Sequence, residues 1–554
     1  MKASEALLKM LEGYGVKHVF GLVGETSLPL YEAFSDFPQI HHVHGRDERN
    51  VVIMADAYAR FSGRPGVAEI PGVGAPYALP GLAEANVSGI PIITFVSDIP
   101  VQSEKRNVLT EHDKGYLASV SKENLNVMSP TALPRLVRRA FRTATTGRTG
   151  PVTVRIPSDV LDGEVEEGEV YVQPEFSSYP SLRFAPEDER ISQALKMLEN
   201  ATNPVMVCGQ GVLLSHAEDE VLRLAEILGI PVGTTITGKG AFPETHPLSI
   251  GVIGARGGTK FSNRVVAEAD VVFLIGTNTD SANTWDWRLP SSTSTVIQLD
   301  VSERELGNNY KVYPLLGDAK LTLRRMIDMV KGARRWREVQ GKADYENHVS
   351  SLGSVETDLV NPVKFMQLLS RTLDERTYVV AEPGTGAIYS SAYLKLKFHG
   401  RRIMYNYSLG GLGYAIPASI GTYFATGGRV ITLATDGNLF FEMGELETLS
   451  RVKANVKVFM FNNKSFGWIR AAMVSKYGRV LDGTSMGEVD FSKIAKSFNM
   501  EYDRIERTGD IEEVLGRTFK DDLPKFVEVL IRSEDKVVPP VPEWRDIKDG
   551  IYLG

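Results

Sequence analysis

A single cysteine, Cys208, stands among 554 residues. One thiol cannot build a disulfide framework or a cysteine-based zinc site. Its setting, Pro204-Val205-Met206-Val207-Cys208, is that of a buried strand, so an inert core thiol is expected. Positive charge is not in excess either: 62 Lys and Arg stand against 69 Asp and Glu, a net charge of −7. Without a strong positive field, neither nucleic acid nor an anionic membrane is expected as a main partner. No apolar run approaches the roughly 18–20 residues that cross a bilayer, and no apolar signal core precedes the first helix pattern. The expected location is cytoplasmic. Glycine is plentiful, at 51 residues, while 43% hydrophobic and 24% charged residues are ordinary for a globular chain. That composition excludes a mostly disordered protein, a collagen and a coiled-coil rod.

Helix and strand patterns alternate, which predicts parallel sheets covered by helices. The fold class read from this is α/β, with three doubly wound domains. The first spans 1–165. It opens with a helix over 4–14, with Leu7, Leu8 and Leu11 on one face, and has strands at 19–22, 67–70, 92–96 and 152–156. An acidic, then Pro- and Ser-rich stretch over 161–190 reads as a linker. The second domain spans 185–335, with strands at 204–208, 271–275 and 295–299. Residues 332–357 read as a second linker. The third domain spans 358–535, with strands at 378–381, 430–434, 456–461 and 525–530. A tail over 536–554, with three prolines and Trp544 after Val537, reads as an ordered extension packed on the rest of the chain. The first and third domains share size and pattern, as diverged copies would.

The most informative stretch is Ala434-Thr435-Asp436-Gly437-Asn438, followed by Asn462-Asn463 with 24 residues between Gly437 and Asn462. Each segment lies just after a buried strand. In a parallel sheet both strand ends reach the same edge, where ligands bind. The Asp436 carboxylate and the Asn463 amide oxygen can meet there, with Ser465 beside them. Hard oxygen ligands of this kind suit Mg²⁺, which commonly also takes substrate phosphates. Gly437 leaves room for backbone N–H groups to approach those phosphates. Taken singly, Asp436-Gly437 is only a turn and Asn462-Asn463 only a loop; the pair at this spacing carries the inference.

This segment resembles the thiamin-diphosphate fingerprint, Gly-Asp-Gly followed at a similar distance by Asn-Asn, with Thr435 in place of the first Gly. Glu445-Leu446-Glu447-Thr448 matches the Glu-Leu-x-Thr inside it. The resemblance runs along nearly the whole chain, to the acetolactate synthase group and its decarboxylase relatives. Phe20-Gly21-Leu22-Val23-Gly24, Pro71-Gly72-Val73-Gly74-Ala75 and the segment 150–160 are similar to motifs of that family's first domain.

The resemblance implies a pyrimidine-binding first domain, a central nucleotide-like domain and a diphosphate-binding third domain. It implies thiamin diphosphate and Mg²⁺ as cofactors, a 2-oxoacid or acyl-CoA substrate, and a homodimer or homotetramer. Glu48, before Ala55-Asp56-Ala57-Tyr58-Ala59-Arg60, aligns with the glutamate that hydrogen-bonds N1′ of the aminopyrimidine ring. The physical need is clear: C2 of the thiazolium is a very weak acid, and a buried carboxyl with a raised pKa can share a proton with N1′ so that the ring takes the C2 proton. Asp47 and Arg49 replace the usual His and Gln. In Ser408-Leu409-Gly410-Gly411-Leu412-Gly413, Leu412 takes the place of the aliphatic residue that bends the cofactor, and the Gly410 carbonyl that of the acceptor for its amino group. Gly384 and Thr385 are assigned to the diphosphate together with Gly437 and Asn438. Glu25, Thr110, Glu111 and His112 align near the reacting carbon, with His112 a candidate for proton transfer. Trp468 and Ile469 align with residues over the active site.

Departures bear on substrate. Ala472 replaces a family Trp, Asn278 stands where the synthases carry Arg, and the flavin-binding pattern of the central domain is poorly matched, which leaves FAD open, as it leaves any regulatory subunit. Decarboxylation with carboligation of the acetolactate synthase kind is the first reading. A 2-hydroxyacyl-CoA lyase or oxalyl-CoA decarboxylase is the second, since Ala83-Glu84-Ala85-Asn86 and Ala381-Glu382-Pro383-Gly384 are loosely like that branch. A simple 2-oxoacid decarboxylase and a non-catalytic cofactor-binding paralogue are further alternatives.

Overall fold

The computed structural model describes residues 1–333 and 338–554. Three six-stranded sheets form along the chain, every strand parallel to its neighbours. The first contains β1 (His18–Gly21), β2 (His41–His44), β3 (Gly66–Pro71), β4 (Ile92–Asp98), β5 (Glu123–Asn126) and β6 (Val152–Pro157), in the order β2-β1-β3-β4-β6-β5. The second contains β7 (Pro204–Cys208), β8 (Val232–Thr234), β9 (Ser249–Val252), β10 (Val271–Ile275), β11 (Thr295–Asp300) and β12 (Val312–Leu316), in the order β12-β11-β10-β7-β8-β9. The third contains β13 (Thr377–Ala381), β14 (Ile403–Tyr405), β15 (Arg429–Thr435), β16 (Val456–Asn462), β17 (Glu501–Ile505) and β18 (Lys525–Leu530), in the order β14-β13-β15-β16-β18-β17.

Renumbered from their own starts, the first and third sheets share one order, the relation that diverged copies would show. The second sheet has the order 3-2-1-4-5-6 of dinucleotide-binding folds, with its switch point between β7 and β10. The interior strands are apolar on both faces, as burial between helix layers requires: β4, β7, β10 and β16 are buried throughout.

The chain divides into two compact units. One holds Met1–Leu182 with the segments Ser408–Gly427 and Glu442–Ala454; the other holds Arg183–Tyr407, Gly428–Phe441 and Asn455–Gly554. Within the first unit the helix Glu48–Ser62 packs on the helix Ala415–Thr426. A Cβ on Gly421 would lie 2.1 Å from the Met54 carbonyl, so glycine there lets the two backbones touch. Asp47 caps the start of Glu48–Ser62 by accepting the Arg49 N–H at 2.8 Å.

The second linker is not featureless. It holds the helix Lys342–Leu352, whose Val349 and Leu352 are buried; residues 334–337 of that stretch lie outside the described residues. In the tail, β19 (Val537–Val538) pairs with β20 (Ile551–Tyr552), and Trp544 is buried among Ile388, Ala471 and Val541. Among the described residues no helix is long and apolar enough to cross a membrane.

Candidate active site

In the second unit, strands β15 and β16 are neighbours in register, Thr435 opposite Phe461. Their ends therefore deliver Asp436 and Asn463 to one edge. Asp436 is almost fully buried, and its carboxylate accepts the N–H groups of Gly437 at 2.8 Å, Lys464 at 2.6 Å and Asn463 at 3.2 Å. Burial pushes this carboxyl up to about 6 even so. The Asn463 amide oxygen lies 3.0 Å from the Ser465 hydroxyl, which donates to it. The Asn463 NH₂ donates to Glu534 at 2.9 Å, and this contact turns the amide oxygen away from Glu534. The other Glu534 oxygen accepts the Thr385 hydroxyl.

Glu534 is 2% exposed and pushed up to about 7 by burial. It joins the Gly384-Thr385 turn after β13 to the Asn463 loop after β16. The close fit is visible at Gly467, where a Cβ would lie 1.7 Å from a Glu534 oxygen. Gly384 itself has φ 125°, a conformation that favours glycine. Asn438 donates its amide to the Pro383 carbonyl at 2.8 Å, tying the two loops again.

In the first unit, Glu48 opens its helix with a half-buried carboxyl that burial pushes up, the Asp47 charge adding to the effect. Gly74 lies hard against it: a Cβ there would sit 2.1 Å from Oε1 of Glu48. The Gly-rich loop before Ala415–Thr426 is held by Glu84, whose Oε2 accepts the N–H groups of Leu409 at 2.9 Å and Gly410 at 3.4 Å. Gly410 and Gly413 have φ of 82° and 78°. Leu412 is half-buried between them.

Each family model of the thiamine pyrophosphate enzymes finds its counterpart in turn: the N-terminal TPP binding domain over residues 1–117, the central domain over 191–326 and the C-terminal TPP binding domain over 384–529. The probable acetolactate synthase large subunit of Methanocaldococcus jannaschii is 32% identical over 98% of this chain and 94% of its own length. This chain belongs to the thiamine pyrophosphate enzyme family. The probable acetolactate synthase large subunit of Methanococcus aeolicus is 29% identical, covering 100% of this chain and 96% of its own. The acetolactate synthase large subunit of Lactococcus lactis is 27% identical, covering 97% and 94%. The protein is thus a thiamin-diphosphate-dependent enzyme of decarboxylation and carboligation.

The residues present fit that cofactor. The donor set of carboxylate, amide oxygen and hydroxyl is all oxygen, and a proton-hungry buried carboxylate is a good seat for a divalent cation. Among the described residues no group of three or more His, Cys, Asp or Glu is gathered as a cage; the oxygens that would hold a cation are those of Asp436, Asn463 and Ser465. In the central domain, Gly209 and Gly211 donate their N–H groups to the carbonyls of Ile275 at 2.8 Å and Gly276 at 2.9 Å. The two loops at the switch point bond one another.

The remaining candidates separate. Trp468 packs on Trp544 with ring centroids 4.3 Å apart and lies under the Arg256 guanidinium at 4.5 Å, so its ring serves the tail contact. Ile469, on the same helix, is 49% exposed. His112 lies in a loop, its Nδ1 3.0 Å from the Thr110 carbonyl and Nε2 2.9 Å from the Tyr116 hydroxyl. Thr110 has φ 81°, a strained value for a β-branched residue. Glu84 and Glu382, loosely matched to the acyl-CoA branch, are both buried. Glu534 was not visible to sequence reasoning, since Ser533-Glu534-Asp535-Lys536 has the look of a solvated loop.

Proposed function

We propose that this enzyme decarboxylates a pyruvate-like 2-oxoacid and joins the remaining fragment to a second carbonyl, giving a 2-hydroxy-ketoacid. The observation that carries the chemistry is the convergence of Asp436 and Asn463 at adjacent strand ends. The substrate class rests on end-to-end similarity to proteins named acetolactate synthase.

When bound, thiamin diphosphate supplies an electron sink for the electrons left by CO₂. The chain's own residues do the rest. Asp436, Asn463 and Ser465 hold Mg²⁺, and Gly384, Thr385, Gly437 and Asn438 hold the diphosphate. Glu48 holds a proton at N1′ of the aminopyrimidine; its half-buried position keeps the carboxyl proton affinity high enough for that sharing. Leu412 would pack against the cofactor, and the Gly410 carbonyl would accept from its amino group. Ile469 lines the substrate space, and His112 moves a proton near the reacting carbon. The proposed active unit is a homodimer or homotetramer, with the first domain of one subunit serving the third domain of another, in the cytoplasm.

The test is product analysis with thiamin diphosphate, Mg²⁺ and a panel of 2-oxoacids and acyl-CoAs. Acetolactate and CO₂ from pyruvate are expected. Aldehyde alone would make the protein a simple decarboxylase, and acyl-CoA cleavage with no turnover of 2-oxoacids would overturn the reading.

A further inference from the structure

Glu69 is an acid in the middle of an apolar strand. Every residue of β3 is buried, and Glu69 is 0% exposed. Its Oε2 accepts the Tyr31 hydroxyl at 3.0 Å, and its Oε1 accepts the Ser97 hydroxyl at 3.4 Å. The same Tyr31 oxygen lies 2.8 Å from Nε2 of His42 on β2. The Tyr31 hydroxyl thus joins His42 to Glu69. With Glu69 ionised it donates to the carboxylate and accepts from Nε2 of His42; with Glu69 protonated the chain can run the other way.

Space for this chain is made by Gly21. A Cβ there would lie 2.5 Å from Nε2 of His42 and 3.0 Å from Oε2 of Glu69. Two residues beyond Glu69, β3 ends and passes into the Gly72–Gly74 turn that lies against the Glu48 carboxylate. β2 ends four residues before Glu48. Glu69 and Glu48 thus flank the same strand ends.

We propose that Glu69, with Tyr31 and His42, forms a buried proton-holding chain that governs how firmly Glu48 holds its proton. This makes Glu69 a positioning residue, acting through Glu48, and it rests on the reading of Glu48 given above. Burial is the largest influence on Glu69 and pushes it up to about 8; the hydroxyls of Tyr31, Ser27 and Ser97 oppose this, and the Glu48 charge adds to it. Burial pulls His42 down to about 4, helped by His44 and Arg451, so its ring is neutral. The Glu48 charge is among the influences that raise Glu69. A carboxyl that is neutral beside Glu48 leaves that acid free to ionise; once ionised, it repels the second charge.

The test does not need turnover. Infrared difference spectra of the cofactor-free, full-length protein read the protonated carboxyl directly. At neutral pH the wild type is expected to show a buried protonated carboxyl that Glu69→Gln removes. In Glu48→Gln its midpoint should fall by about one pH unit, the size at which two sites count as coupled. In Tyr31→Phe it should rise, because a hydrogen bond to the charged form is lost. In the loaded enzyme the alkaline limb of kcat/KM should carry an inflection that Glu69→Gln abolishes. A carboxyl midpoint that ignores Glu48→Gln overturns the proposal, even if Glu48→Gln is itself inactive. Activity surviving in Glu48→Gln with the midpoint shifted would instead overturn the reading of Glu48 and leave the coupling standing.

Discussion

The Glu84 carboxylate accepts the backbone N–H of Leu409 at 2.9 Å, from 325 residues away in sequence. Its other oxygen accepts the Ser88 hydroxyl at 2.9 Å and faces the Arg60 guanidinium at 3.6 Å, while Arg60 also pairs with Asp56 at 2.8 Å. All three charged groups are buried. A single buried acid thereby fixes the start of the loop that carries Gly410 and Leu412. Glu84→Ala leaves Arg60 and two loop N–H groups without that acceptor. A loss of about 3–5 kcal/mol in unfolding free energy is expected, the cost of breaking a buried pair from one side. Denaturant unfolding reads it, and cofactor titration of the surviving fold should show weaker binding. An unchanged midpoint would mean that the loop holds itself.

Glu48→Gln keeps size and shape at the start of its helix but cannot hold a proton for the aminopyrimidine. Because burial already works against the charged form, the amide should not destabilise the fold. Turnover should fall by about 10²–10⁴-fold, the range of a lost general acid–base group, with thermal midpoint and cofactor affinity close to wild type. Steady-state kinetics beside a melting curve separates this from misfolding.

What could be read from the sequence was what the interior imposes. Strands β7, β10 and β18 match the apolar runs residue for residue. In the three large sheets the strands missed are β2, β5, β9, β12, β14 and β17, at their six edges, together with the three-residue β8; the short tail strands β19 and β20 were missed as well. Edge strands turn polar residues to solvent, as in Glu123-Asn124-Leu125-Asn126 and Glu501-Tyr502-Asp503-Arg504-Ile505, so their pattern looks like loop. The Asp436 and Asn463 pair was legible because each follows a buried run directly. Glu534 was not, because its neighbours are charged and only the fold buries it. Glu69 gave a signal that went unused: a lone acid inside Val67-Ala68-Glu69-Ile70.

Glu534 holds the Thr385 hydroxyl with one oxygen and the Asn463 amide with the other. It ties the Gly384-Thr385 turn to the Asn463 loop. Glu534→Ala should weaken Mg²⁺-dependent cofactor binding by about 10–100-fold, the usual cost of losing the partner that orients a ligand. Glu534→Gln, which can still accept from Thr385, should lose less. Calorimetric titration of thiamin diphosphate at fixed Mg²⁺ reads both; equal affinities in all three proteins would remove Glu534 from the site.

Asp436 gives the metal-free protein a pH signature. Burial raises its carboxyl from the ordinary 3.8 to about 6. The folded chain therefore holds this proton more tightly than the unfolded chain. Below 3.8 both states are protonated and the group contributes nothing. Between 3.8 and about 6 the unfolded state loses its proton first, so stability falls as pH rises. Above that window the full cost, about 3 kcal/mol, is present. Asp436→Asn has no such proton, so without metal it should gain on the wild type by that amount between pH 4 and pH 7. Bound Mg²⁺ should reverse the ranking at pH 7, because the cation supplies the charge that burial denies. Unfolding curves at several pH values, with and without Mg²⁺ and cofactor, carry the comparison. A difference between the two proteins that stays flat across the window would mean that Asp436 ionises as if in water and is not the buried seat of a cation.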